Sequence, residues 1–332
     1  MLKNIFKYVI SLGIAIALLY WTLKDYDFAE NYQKLKSANL YWILVSAIFT
    51  LIAHTSRAIR SKMLLEPLGY KPSTLNSTLA ILMGYFANYL VPRLGEVTRC
   101  TTLTTTDNIP FEKTFGTVIT ERIIDFILLF VLLLLNFILE FDRLSDFFLG
   151  FFKDKFEGKL SSLTLPIIVI ICILIGGVII WKLQKEKILN SPLVKKIVQL
   201  GSGLLEGLTS IKNLKNPIAF IGHSVLIWTM YYLMAYCLFF ALPETANLGL
   251  LAGLSTLVIG AIGIAAPTPG GLGTYHALVG GLMVLYGLSS DSGKTLAIFL
   301  HGSQMIITII FGIISFLILF ILKRNKLPQL ND

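Results

Sequence analysis

The segment Thr295–Leu322 contains no Asp, Glu, Lys or Arg. About 20 mostly apolar residues, as a helix, are enough to cross the hydrocarbon core of a bilayer. In lipid the backbone must satisfy its own hydrogen bonds, so a run of this kind is read as a spanning helix. Comparable runs occur at Phe6–Leu23, Leu40–Ser56, Thr117–Leu139, Leu163–Trp181 and Pro217–Leu242. Only 14% of the residues are charged, against roughly 25% in soluble domains. So little charge does not cover a water-facing surface. The expected fold class is an all-α integral membrane protein, with 1–332 as a single membrane domain.

Two apolar regions are interrupted. Leu75–Val91 ends at Pro92 and is followed by the polar stretch Gly95–Thr106. Leu248–Ala266 ends at Pro267-Thr268-Pro269-Gly270-Gly271, after which Tyr275–Leu288 resumes. The expectation is six transmembrane helices plus two re-entrant helical hairpins. Pairs of full spans in place of the hairpins satisfy loop charge equally well. The order helix, helix, broken hairpin, helix occupies 6–139 and recurs over 163–322. Three crossings per half is odd, so the second half is inverted, as in transporters with broken helices at the midplane.

The formal net charge is +9, and the basic residues sit in short loops between apolar runs. That placement fits the positive-inside rule and anionic lipid head groups, and no nucleic-acid partner is expected. The N-terminus, the Arg57–Lys71 and Lys182–Lys215 loops and the Lys323–Lys326 tail are rich in Lys and Arg. The expected protein is multi-pass in the cell (plasma or inner) membrane, with both termini cytoplasmic. Phe6–Leu23 follows Lys3 and Lys7 like a signal peptide but lacks a small-x-small site, so it reads as a retained helix. Within 190–215, the apolar spacing of Leu193–Lys212 reads as a cytoplasmic amphipathic helix or as a plain connecting helix.

Chemistry-bearing motifs are sparse. Cys100, Cys172 and Cys237 are isolated, as are His54, His223, His276 and His301. No metalloprotease, nucleophile-elbow or P-loop pattern occurs. No catalytic residue, metal or cofactor is therefore expected.

Three constellations stand out. Asn88…Pro92-Arg93-Leu94-Gly95-Glu96-Val97-Thr98-Arg99 places two arginines and a glutamate after a helix-breaking proline. An Arg near the bilayer centre costs about 2.5–3.5 kcal/mol on insertion scales, which is tolerable against water, a carboxylate or a phosphate. The fork of a guanidinium suits phosphate. Glu96 and Arg99, three apart, share a helix face. The threonines from Thr98 to Thr106 read as lining a wet cavity. The second constellation is Pro269-Gly270-Gly271-Leu272-Gly273-Thr274-Tyr275-His276. Its glycines allow tight turns and close ligand approach, Thr274 is placed to cap the next helix, and that helix end is a natural anion site. His276, at the start of this helix, is read as a headgroup or proton ligand, or as a packed histidine. The third is Glu121-Arg122-Ile123-Ile124-Asp125. Its carboxylates share a face and are expected to pair with Arg93 or Arg99, or to relay protons, while Arg122 and Asp125 are spaced to pair with each other. Interfacial loops, a simple turn and ordinary surface charge are the plainer readings of the three.

Together these three motifs, in this order, resemble the lysylphosphatidylglycerol synthase transmembrane-domain family, whose members include the flippase region of the multiple peptide resistance factors. The resemblance covers nearly the whole chain. It implies lipid translocation, often of aminoacylated phosphatidylglycerol, with the motif residues lining a membrane cavity. Two departures are visible: His276 stands where the family usually carries glutamate, and the soluble aminoacyl-transferase domain is absent. The leading functional expectation is a flippase for a phospholipid or lipid-linked anionic substrate. The alternatives are a membrane-embedded enzyme modifying a lipid head group, with Glu96, Glu121, Asp125 or His276 as acid or base, and a helper subunit of a separate lipid synthase or glycosyltransferase. A homo-oligomer and a separate synthase partner both stay open.

Overall fold

A computed structural model describes residues 2–24, 26–91, 93–141, 143, 214–266 and 268–326. The described residues form ten α-helices and no strand: α1 (Leu2–Leu23), α2 (Phe28–Lys36), α3 (Tyr41–Leu65), α4 (Thr74–Leu90), α5 (Leu94–Asp107), α6 (Phe111–Leu139), α7 (Pro217–Tyr236), α8 (Leu250–Ala265), α9 (Thr274–Leu285) and α10 (Ser290–Lys326). Short 3-10 turns follow α3, α7 and α8. The expected span Leu163–Trp181 and the expected amphipathic helix in 190–215 lie outside the described residues. The chain divides into two compact units, Met1–Asn136 with Asn213–Asp332, and Phe137–Lys212. Nearly all described residues belong to the first.

Four helical segments are long and apolar enough to cross a membrane: 41–68, 111–139, 217–241 and 290–322. The described side chains of α1 and the whole of α8 add shorter apolar stretches, Leu12–Leu23 and Leu250–Ala265. On α6, Phe126, Phe130, Leu134 and Ile138 recur every fourth residue and are all exposed, which makes a stripe suited to lipid tails. The chain is a multi-pass membrane protein.

Each interrupted region is a pair of short antiparallel helices. α4 and α5 have 17 and 14 residues, and α8 and α9 have 16 and 12, all below the roughly 20 that a full crossing requires. Both breaks follow from proline. Val91 and Ala266 are extended (φ −140°, ψ 124° and φ −59°, ψ 153°), the conformation that a following proline imposes. The first hairpin closes through glycine. A Cβ on Gly84 would lie 2.8 Å from the Gly95 carbonyl oxygen, and one on Gly95 would clash with the Gly84 carbonyl and reach 2.5 Å from Asn88 Nδ2. At its open end Asp107 accepts from the Ser73 amide at 3.2 Å and from Asn76 Nδ2 at 3.0 Å. The second hairpin uses Tyr275, which lies against Gly260 and Gly263, and Tyr286, whose hydroxyl is 2.7 Å from Ser255 Oγ.

α3 and α7 lie antiparallel and are joined by polar contacts. Ser46 donates to the Met234 carbonyl (2.8 Å) and Ser56 Oγ is 2.8 Å from His223 Nδ1. Small hydroxyl residues let membrane helices approach and satisfy their groups inside the bundle. α10 packs against α4 and α9, so both hairpins share it. The main apolar core lies between α8, α9, α10 and the turn after α7, with Leu238, Phe239, Val279, Met283, Leu296 and Leu300 buried.

In the threonine-rich helix α5, Thr98, Thr101, Thr102, Thr104, Thr105 and Thr106 all donate to carbonyls three or four residues back. Their hydroxyl protons are used within the helix, while their oxygens keep lone pairs that can accept.

The glycine contact yields a paired prediction. Gly95→Ala should destabilise the full-length protein by about 1–3 kcal/mol, the usual range for overpacking. Gly281→Ala, whose Cβ meets nothing within 4 Å, should leave stability unchanged or slightly raised, as helical Gly→Ala changes do. Thermal unfolding in detergent checks both; equal effects would contradict the packing described.

Candidate functional site

The densest polar cluster lies where α3, α5 and α6 meet. Asp125 on α6 accepts from two arginines of α3, Arg57 Nη1 at 2.6 Å and Arg60 Nη2 at 2.7 Å. One turn earlier, Glu121 takes a two-pronged contact from Arg99 of α5, at 3.0 Å and 2.6 Å. Arg60 also comes within 4.0 Å of Glu121, and Arg99 Nη2 donates to Ser61 Oγ. Arg60 and Glu121 are 0% and 1% exposed. Paired forks of this kind are among the strongest hydrogen bonds available to charged side chains.

Helical spacing explains the geometry. Arg57 and Arg60 are three apart and Glu121 and Asp125 four apart, so each pair shares one face. The remainder of the cluster is aromatic and hydroxylic. Arg57 Nε donates to the Tyr231 hydroxyl at 3.2 Å, that hydroxyl lies 3.0 Å from Tyr85, and His54 stacks on Tyr85 with centroids 4.4 Å apart.

Charge does not cancel inside the cluster. Three buried arginines, Arg57, Arg60 and Arg99, face two buried carboxylates, Glu121 and Asp125, which leaves one net positive charge. Among the described residues, the Nε groups of Arg60 and Arg99 are buried without a hydrogen-bond partner. A small cleft, open on one side, adjoins the cluster and is lined in part by Arg57, Tyr85, Asn88, Glu96, Arg99 and Arg122. At its rim Arg122 pairs with Glu96 at 3.0 Å. Within this pocket Asn88 Oδ1 accepts the Gly95 amide at 2.7 Å, so Asn88 caps the start of α5 from across the hairpin.

Arg93 occupies the turn between α4 and α5. It is exposed and left-handed (φ 66°), and no hydrogen bond or ion pair holds its side chain among the described residues. A left-handed conformation costs a non-glycine residue roughly 1–2 kcal/mol.

The residues of the second break are packed rather than open. Gly270 (φ 58°) lies against the Tyr89 ring, Gly271 (φ 78°) against the Ile264 backbone, and Gly273 (φ 80°) against Ala15 and Leu18 of α1. The close approach that these glycines permit is therefore to neighbouring chain. Gly273, not Thr274, is the N-cap of α9. Thr274 is the first helical residue, and its hydroxyl donates to the carbonyls of Gly263 (2.7 Å) and Gly271 (3.0 Å), tying the two arms together. Tyr275 and His276 are buried, and Tyr275 stacks on His301 at 4.8 Å.

The expected pairings are corrected in three places. Glu121 pairs with Arg99 as expected, but Asp125 pairs with Arg57 and Arg60. Arg122 reaches Glu96 and not Asp125. Arg57 and Arg60 are helical and buried, so they are not loop charges and do not belong in a positive-inside tally. Sequence reading placed them in a loop because they follow the apolar run Leu40–Ser56. The signal that identifies them is the matched spacing: two basic residues one turn apart, at the same end of a span as two acidic residues one turn apart. His301 was missed because it is isolated in an apolar run.

The cluster separates buried from rim pairs in a mutational test. Asp125→Asn, which leaves two buried guanidiniums without their carboxylate, should destabilise by about 3–5 kcal/mol. Arg122→Gln, at the half-exposed rim, should cost at most about 1 kcal/mol. Equilibrium unfolding in detergent reads both, and an Asp125→Asn variant as stable as the parent would refute the pairing.

Comparison with known proteins follows the same outline. The model of the lysylphosphatidylglycerol synthase TM region matches residues 8–312. A UPF0104 membrane protein, MJ1595 of Methanocaldococcus jannaschii, is 29% identical over 92 residues, which covers 27% of this chain and 27% of that protein. No solved structure matches. With a family match that takes in both hairpins and the charged cluster, the chain belongs to the lysylphosphatidylglycerol synthase TM-region family.

Proposed function

We propose that the protein translocates a phospholipid or lipid-linked anionic substrate across the bilayer, with the first hairpin and its arginine–carboxylate cluster as the headgroup site. The observation that carries this reading is the imbalance of three buried arginines over two buried carboxylates beside an open pocket. A net positive charge inside a membrane bundle is costly, and a headgroup phosphate is the anion that a membrane offers in greatest supply. Arg93 supports the same reading. Non-glycine residues in strained backbone cluster at functional sites, and this one carries a free guanidinium at the hairpin break. The two hairpins are read as re-entrant, one in each half of an inverted repeat over 6–139 and 163–322, with Tyr89 against Gly270 joining their breaks. The lipid moves along the polar arm of the first hairpin while its tails stay outside the bundle.

Reconstituted liposomes test this. Wild-type protein should speed translocation of labelled phosphatidylglycerol at least about tenfold over protein-free vesicles, without chemical change to the lipid. Arg93→Ala should lose most of that activity at unchanged melting temperature. Arg93→Lys should recover only part, because an ammonium lacks the planar fork. Arg93→Gly should also be inactive yet at least as stable, since glycine accepts the left-handed turn. Normal transport by Arg93→Ala would refute the assignment, and a modified headgroup in the product would favour a lipid-modifying enzyme.

A further inference from the structure

His276 and His301 were far apart in sequence, yet their rings meet. His276 lies in the first turn of α9 and His301 in the middle of α10, with centroids 4.9 Å apart and planes at 65°. His276 is 6% exposed and His301 fully buried. His301 Nε2 is 2.9 Å from the Gly270 carbonyl. A carbonyl only accepts, so Nε2 carries the proton. In the neutral ring Nδ1 is then a lone pair, and it has no donor. His276 Nδ1 is likewise buried, and neither Nδ1 has a partner among the described residues. Buried polar atoms are nearly always paired, and here two orphaned imidazole nitrogens belong to adjoining rings.

We infer that His276 and His301 form one proton-binding site at the break of the second hairpin, through which protonation acts on the contact between the hairpins. One proton delivered by hydronium, which returns to water, makes one ring an imidazolium with an Nδ1–H, and once that ring turns toward its neighbour the other Nδ1 lone pair accepts it, so one proton serves both orphans. The only bond broken is the O–H of the hydronium. The surroundings favour one charge and not two. Tyr275 of α9 and Tyr89 of α4 are the titratable groups beside the pair. α8 and the described side chains of α1 from Leu12 to Leu23 carry no charged residue. The nearest basic group along α10, Lys294, is two turns from His301 and is engaged with Asp291 at 3.5 Å. Among the described residues no carboxylate lies beside the pair to neutralise a second imidazolium. The proton rests on His301, whose Nε2 already faces a carbonyl, because the first turn of α9 is the positive end of a helix and disfavours a cation at His276.

The position gives the proton its effect. His301 holds Gly270 to α10, and Gly270 is the residue on which Tyr89 of α4 sits. A ring that turns to share a proton pulls on the carbonyl that keeps the two breaks together. Proton binding is read on the protein alone and is independent of which substrate the first hairpin takes.

Nitrogen-15 NMR of histidine-labelled full-length protein in phosphatidylcholine nanodiscs tests the site. The four histidines are distinguished with His54→Gln, His223→Gln, His276→Gln and His301→Gln. Between about pH 8 and pH 4.5, His276 and His301 should together take up one proton and move at a common midpoint. Removing either ring should shift the other's midpoint by about one unit or more, as in strongly interacting pairs. Uptake of no proton, uptake of two, or midpoints indifferent to the partner's removal would overturn the proposal. Should His276→Gln or His301→Gln fail to fold, the proton count in wild type, with His54→Gln and His223→Gln for assignment, decides alone.

Discussion

A charge inside a bilayer must find a partner, and in this protein five of them find each other. Asp125 gathers Arg57 and Arg60, and Glu121 holds Arg99. The position of the first hairpin depends on these contacts. α5 is short and rich in threonine, and lipid alone would not hold it. The fork between Arg99 and Glu121 fixes it against α6, and the close approach of Gly84 and Gly95 fixes it against α4. Buried ion pairs are poor sources of net stability but strict about partner and register. Here they set which face of α3 meets which face of α6, and so where the pocket opens.

The second hairpin is built from different material. It contains no charged residue between Leu250 and Leu285. Glycines at Gly270, Gly271 and Gly273 let Tyr89, Ile264 and α1 press against the break, and the Thr274 hydroxyl closes it, its one proton shared between the Gly263 and Gly271 carbonyls. One hairpin is thus polar, with a left-handed arginine at its tip that has no partner among the described residues. The other is a tightly packed hinge whose titratable groups are histidine and tyrosine. α10 lies against both, and the contact of Tyr89 on Gly270 joins them directly. A change at either break has a short mechanical path to the other.

Much of this was legible in the sequence because apolar length and proline are local signals. Four of the six expected spans, both breaks and the helix pairs that flank them follow from hydropathy and from the backbone restriction before Pro92 and Pro267. The carboxylates Glu121 and Asp125 were visible as a one-turn pair. Their partners were not, because pairing between helices leaves no mark in spacing along one helix. Arg57 and Arg60 sit just past an apolar run and so look like the loop charges of a cytoplasmic face. Asn88 stands out as a polar residue before the break, and only the fold shows that it also caps α5; Gly273 stands out as a place of close approach, and only the fold shows α1 against it. In each case the residue type was informative and the neighbour it served was a long-range fact. His301 is the extreme instance, since only the fold brings it to His276.

The central claim is that the first hairpin, with Arg93 at its tip beside the arginine–carboxylate cluster of its arms, takes an anionic headgroup. Native mass spectrometry of the purified protein, offered equimolar phosphatidylglycerol and phosphatidylcholine, tests it most directly. The account predicts preferential retention of phosphatidylglycerol by wild type, with the preference sharply reduced in Arg93→Ala. Equal retention of the two lipids, or a preference that survives loss of Arg93 unchanged, would contradict it.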